Sequence, residues 1–268
     1  RTTEDPFLYE EIHEKMKKQL LILIFSFYML LPSSDINLKD QSRYLESLKP
    51  GGSSMIFIPK GEYFTGDKGS RDKSPPAKRA FEGFYIDIHP VTNSQFLVFL
   101  ERTGFQPDGK FNKTSAEKMP ANPVTGVSLK DAERYAEFAG KRLPTEWEWE
   151  IAARALKKDY QSTLSMFYKE KKGVFFEMER KTISPVFSTP PNDIGFYDHI
   201  GNIFEWTTSA YPTDLLIGKN RNSQKVGVVR GGAWTNIRND IKYSTRIPFP
   251  VKRSLPWLGF RCVKDPVK

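Results

Sequence analysis

The sequence predicts an α+β domain rather than a doubly wound sheet. Three helix starts cluster between residues 92 and 148, each a Ser or Thr followed three places later by Gln, Asp or Glu. Apolar, strand-like runs lie on either side of them. Long aromatic loops, notably 157–192, separate these groups, where a doubly wound fold would alternate strand and helix. No GxGxxG or Walker A loop occurs in the chain, so neither type of nucleotide site is expected.

The first 53 residues read as a separate segment, and 54–268 as the main domain. Residues 4–18 are charged and helix-compatible. Residues 20–31, LLILIFSFYMLL, are an almost unbroken apolar run. As a helix this run rises only about 18 Å, against a hydrocarbon core of about 30 Å, so it does not span a bilayer alone. Two readings stay open: a buried segment packed on the main domain, or an export or membrane signal beginning at Met16. A protruding apolar helix would also let two copies pair as a homodimer. Residues 32–53 read as a linker rich in Ser, Pro and Gly. A chain that opens on Arg1 in place of Met reads as part of something longer.

In the main domain, Met55–Ile58 and Phe84–Ile88 read as strands. Thr92 caps a helix with Gln95 reaching back, Val91 and Phe96 take the staple positions, and Gly104 is the stop. Ser128 and Asp131 open a second helix, with Ala132, Tyr135, Ala136 and Ala139 on one face and Gly140 at its end. Thr145 and Glu148 open a third, just after Pro144. Lys225–Trp234 and Trp257–Val263 read as late core strands.

Composition narrows function. Of 268 residues, 38% are hydrophobic and 13% aromatic, which excludes wholesale disorder. A single cysteine excludes internal disulfides, CxxC redox motifs and zinc fingers, and suits a reducing compartment. His13, His89 and His199 are too scattered for a three-histidine metal site. The net charge is +9, but the basic residues are dispersed and often neighbour acids, so no nucleic acid is expected.

Several motifs then occur in order: MIFIPKGEYFTGD, FEGFYIDIHPVTNSQFLVFL, GKRLPTEWEWE, NDIGFYDHIGNIFEW, VVRGGAW and LGFRCV. In combination these resemble the formylglycine-generating enzyme family, also called sulfatase-modifying-factor domains, over residues 54–265. The resemblance implies a compact α+β fold with a C-type-lectin-like core and little regular secondary structure. Enzymes of the family oxidise a sulfatase cysteine to formylglycine with O₂ and copper. They use two cysteines five residues apart, the soft thiolates that Cu(I) selects. Here Asn236 and Ile241 stand at those positions, and Ala233 replaces a serine hydroxyl. The expectation is a pseudoenzyme without copper. Cys262, in GFRCV, reads as a small buried hydrophobe and not a nucleophile. A related branch that holds iron with three histidines is not matched.

The resemblance also implies a structural Ca²⁺, with carboxylates from Asp198 and Glu205 and carbonyls from Gly201 and Ile203. The alternative is that Glu205 and Asn202 tie this loop by hydrogen bonds. Trp147, Trp149, Trp206, Trp234 and Trp257 fall in fold-defining motifs and read mainly as core. Arg142, Arg230, Arg246 and Arg261 read as loop ties. The leading function is a non-catalytic module for a protein, peptide or small ligand. The resemblance supplies a context, since such domains are fused in bacteria to serine/threonine protein kinases. The kinase motifs VAIK, HRD and DFG are absent from these residues. The setting expected is a bacterial cytoplasm or a secreted effector. A divergent oxidase and a variable ligand-display protein are the alternatives.

Overall fold

The structure is a computed structural model that describes residues 54–67, 75–154, 182–212, 215, 225–236 and 242–266. The chain divides into residues 1–43 and 44–268, and all described residues belong to the second unit. The apolar run at 20–31 and Ile241 lie outside the described residues. Among those described, no helix is long and apolar enough to cross a membrane.

Helices and strands are mixed, as the sequence predicts. Strand β1 (Met55–Ile58) pairs antiparallel with β4 (Phe84–Asp87), which pairs on its other side with β9 (Val263–Lys264). Alternation sets the faces of β4: Phe84 and Ile86 are buried and Tyr85 is exposed. Strands β2 (Gly61–Thr65) and β3 (Ala77–Phe81) form a separate antiparallel pair with Tyr63 opposite Arg79. A third sheet runs in the order β7 (Ile247–Pro250), β6 (Val226–Arg230), β5 (Phe204–Ala210), β8 (Leu258–Gly259). Pro248 and Pro250 stand in β7 because it is an edge strand, where a missing ladder N–H is tolerated.

All three capping boxes form. In α1 (Asn93–Thr103), Gln95 N–H donates to Thr92 Oγ1 and Thr92 N–H donates to Gln95 Oε1 at 2.8 Å. Val91 and Phe96 are both buried, completing the staple. Gly104 ends α1 at φ 66°, a left-handed conformation that glycine adopts without steric cost. A short helix, α2 (Lys113–Lys118), is capped by Asn112. Ser128 and Asp131 box the start of α3 (Leu129–Phe138), and Thr145 and Glu148 that of α4 (Glu146–Ala153).

Two expected strands are corrected. Lys225–Trp234 is a strand only to Arg230, because Gly231 and Gly232 follow at φ 89° and 77° and turn the chain out of the sheet. Trp257–Val263 is two short strands in different sheets. Between them Phe260, Arg261 and Cys262 are fully buried, with the carbonyls of Phe260 and Cys262 accepting from Val91 and Asp87 N–H. A Cβ on Gly259 would lie 2.1 Å from the Val124 carbonyl oxygen, so only glycine allows this crossing.

The interior has two clusters. One gathers Phe96, Phe99, Tyr135, Trp206 and Phe260 around α1 and α3; the other gathers Ile58, Ile86, Trp149, Phe196 and Tyr243 around α4.

Candidate functional site

The RGGAW turn docks on the loop before β5. Gly201 N–H donates to Gly231 O at 2.9 Å, and Trp234 N–H donates to Asn202 O at 3.1 Å. Asp198 and Asn202 hold positive φ, 49° and 61°, next to Gly201 at 75°. Non-glycine residues keep this conformation only where surrounding bonds impose it. Here they do: Asn202 exchanges two hydrogen bonds with the Ser184 backbone, and Asp198 accepts from Phe187 N–H and Thr189 Oγ1–H.

Two of the three expected degenerate positions, Ala233 and Asn236, lie on this turn. Ala233 is fully buried. Asn236 Oδ1 accepts from Ala233 N–H at 2.8 Å, and its own N–H donates to Ala233 O, so the side chain closes a tight turn. Trp234 and Trp257 meet edge to face beside it, with ring centroids 6.4 Å apart, and both are only partly buried.

Of the four residues expected to hold calcium, Asp198 and Glu205 have their carboxylates engaged by protein donors. Glu205 Oε2 accepts from Arg261 Nε at 2.6 Å and from Trp149 Nε1 at 2.8 Å, while its Oε1 accepts from Arg261 Nη2 at 2.8 Å. A guanidinium therefore already supplies the positive charge that the carboxylate needs. The same guanidinium donates to the carbonyls of Asp87 and Tyr197 and lies 4.0 Å from the Phe196 ring centroid. Burial pushes Asp198 up to about 6. Among the described residues, no group of three His, Cys, Asp or Glu side chains is placed to hold a metal ion.

The histidines are interior groups. Burial pulls His89 down to about 4 and His199 to about 3, so both are neutral. His89 Nδ1 lies 2.7 Å from Pro90 O, and His199 stacks on Tyr243. Cys262 is fully buried, its thiol pushed well up by that burial, and its N–H donates to Asp87 Oδ2.

Helix α4 carries what the sequence reading missed. Its three glutamates are buried and each meets an arginine. Glu148 pairs with Arg142, Glu150 with Arg154 and Arg230, and Glu146 with Arg230 and Arg246. Arg142, Arg230, Arg246 and Arg261 thus tie elements together as expected. The carboxylate partners have only a weak sequence signal, the alternation of Glu and Trp in TEWEWE.

Short strands and capped helices clamped by buried arginine–carboxylate pairs, with a glycine turn seated on the GNIFEW loop, define a formylglycine-generating-enzyme-like domain. The chain belongs to that family: the sulfatase-modifying factor enzyme 1-like domain matches residues 43–266. It is 33% identical over 257 residues to the serine/threonine-protein kinase Pkn1 of Chlamydia trachomatis serovar L2, covering 84% of this chain and 41% of that protein. The chain therefore spans about two fifths of the length of this kinase relative. It is 28% identical over 281 residues to the inactive C-alpha-formylglycine-generating enzyme 2 of Bos taurus, covering 82% of this chain and 91% of the relative. Among solved structures, PvdO from Pseudomonas aeruginosa superposes with a TM-score of 0.63 at 22% identity, over 82% of this chain and 97% of that one. At that identity the likeness concerns the fold.

Proposed function

We propose that this chain is a non-catalytic binding module, an accessory or sensor domain of a bacterial serine/threonine protein kinase. One observation carries the first half. The chain has a single cysteine, and it is sealed in the core with its thiol held protonated, so no pair of thiolates can be assembled. Asn236, at a position where the resemblance implies a thiol, instead spends its side chain on the Ala233 backbone. The kinase half rests on the similarity to Pkn1.

Two experiments test the reading. Incubation with copper, O₂ and a sulfatase-type cysteine peptide should leave the peptide mass unchanged, and any formylglycine product would refute the non-catalytic reading. The intact mass of the native protein from its source cells should lie well above the 30.9 kDa of this chain, with kinase motifs before Arg1. A mass near 30.9 kDa removes the kinase link and leaves a stand-alone binding protein.

A further inference from the structure

Helix α1 has apolar surface left over after its core face is packed. Phe96 and Phe99 are buried, whereas Leu97 and Leu100, on an adjoining stripe, stay half-buried. They line a cavity of about 620 Å³ between α1, the loop 105–111 and α2. Phe105, Pro107 and Phe111 complete its apolar wall. Glu101, Lys113 and Glu117, all exposed, form its polar mouth.

The wall is held from behind. Phe105 packs on Phe99 with ring centroids 5.3 Å apart, and Phe111 meets Phe96 edge to face at 5.0 Å. The loop between them is pinned to α3, because Asp108 and Gly109 N–H both donate to the Asp131 carboxylate, at 2.8 and 2.9 Å. Lys110 N–H donates to Ser254 Oγ at 3.0 Å, and Asn112 Oδ1 accepts from Ser115 N–H to fix the start of α2. A preformed apolar cavity of this size, with a few polar groups at its mouth, is the usual form of a small-molecule site. Little ordering of the protein remains to oppose binding.

The mouth selects the charge. Lys113 and Glu117 lie one turn apart and answer each other at 4.0 Å. Glu101 makes no hydrogen bond or ion pair among the described residues. Its neighbour Arg102 does not line the cavity. An unanswered carboxylate beside an apolar wall favours a ligand that joins apolar surface to a cation. An anionic ligand would meet like charge there.

We propose that this cavity binds a small organic cation, an aromatic body carrying one protonated amine. The aromatic body lies against Leu97, Leu100, Phe105 and Phe111, and the ammonium meets Glu101. The site stands on other elements than the RGGAW turn and does not depend on the non-catalytic reading. Turnover of the sulfatase-type peptide would refute that reading and leave this one standing.

The test titrates the full chain at low ionic strength with tryptamine, tryptophol and indolepropionate, which share an indole and differ in charge. The methyl resonances of Leu97 and Leu100 report on the cavity. Saturable shifts are expected with tryptamine, which should bind about threefold tighter than tryptophol, with indolepropionate weakest. Added salt should narrow those differences. Glu101→Gln should bring tryptamine down to the affinity of tryptophol and leave tryptophol unchanged. Glu62→Gln, which removes an exposed carboxylate on β2, should change tryptamine binding by about twofold or less. No saturable shift of these methyls with tryptamine overturns the proposal. So does equal affinity for the three probes, an undiminished preference for tryptamine in Glu101→Gln, or an equal loss from Glu62→Gln.

Discussion

Around α1 and α3 the interior is almost wholly apolar, whereas around α4 it is threaded with charge. Phe96, Phe99, Tyr135 and Phe260 meet through tilted and edge-to-face rings, and polar groups there act mostly as caps. On α4 every residue but Trp147 is buried, three of them glutamates. The first half is held by contact area, which tolerates small errors of fit. The second is held by pairs that are safe only when complete, because a lone buried charge is expensive and its partner cannot retreat to water.

That contrast should be most visible when one pair is broken. Arg261→Met strands Glu205 in the core and should cost about 3–5 kcal/mol by chemical denaturation. Adding Glu205→Gln, which still accepts from Trp149 but carries no charge, should recover much of the loss. A double variant no more stable than the single would mean that packing, not charge, holds this region.

Acid should find the charged half next. His89 and His199 are neutral when folded, so the stability they contribute is complete above about 6.5 and is lost as pH falls toward 4 and then 3. Asp198 runs the other way: its contribution is present below 3.8 and is lost as pH rises through about 6. Two groups outweigh one, so Tm should fall between pH 6.5 and 4. His199→Phe should flatten that fall, and an unchanged slope would shift the cause elsewhere.

Smaller effects should come from the apolar half and the surface. Thr92→Ala removes the α1 cap and should cost about 1 kcal/mol. The Lys60–Glu82 ion pair is exposed on both sides, so Lys60→Ala should change stability by less than about 1 kcal/mol. A larger loss from Lys60→Ala than from Thr92→Ala would blur the distinction between buried and surface charge.

What could be read from the sequence follows the same division. The three capping boxes are local, spanning four residues each, so α1, α3 and α4 were visible at once. The hairpin of β2 and β3, the short α2, and strands β5 and β7 were not. GNIFEW reads as a ligand loop, yet Phe204, Glu205 and Trp206 open β5. The family's motifs revealed the fold. The ionic partners were hidden because they meet across the chain: Arg230 with Glu150 over 80 positions, and Arg261 with Glu205 over 56. No periodicity records such a meeting.

The burial of residues 258–263 also sets a schedule. Leu258 and Gly259 run beside β5, Arg261 neutralises Glu205, Cys262 bonds to Asp87, and Val263 closes the sheet of β4. Asp87 and Cys262 are 175 positions apart. During synthesis, Glu205 emerges from the ribosome before the Arg261 that neutralises it, and β4 waits for β9 on one edge. Loop closure over such a span is entropically slow. The domain thus has a long vulnerable interval as a nascent chain, ended by a stretch of six buried residues that works as a latch.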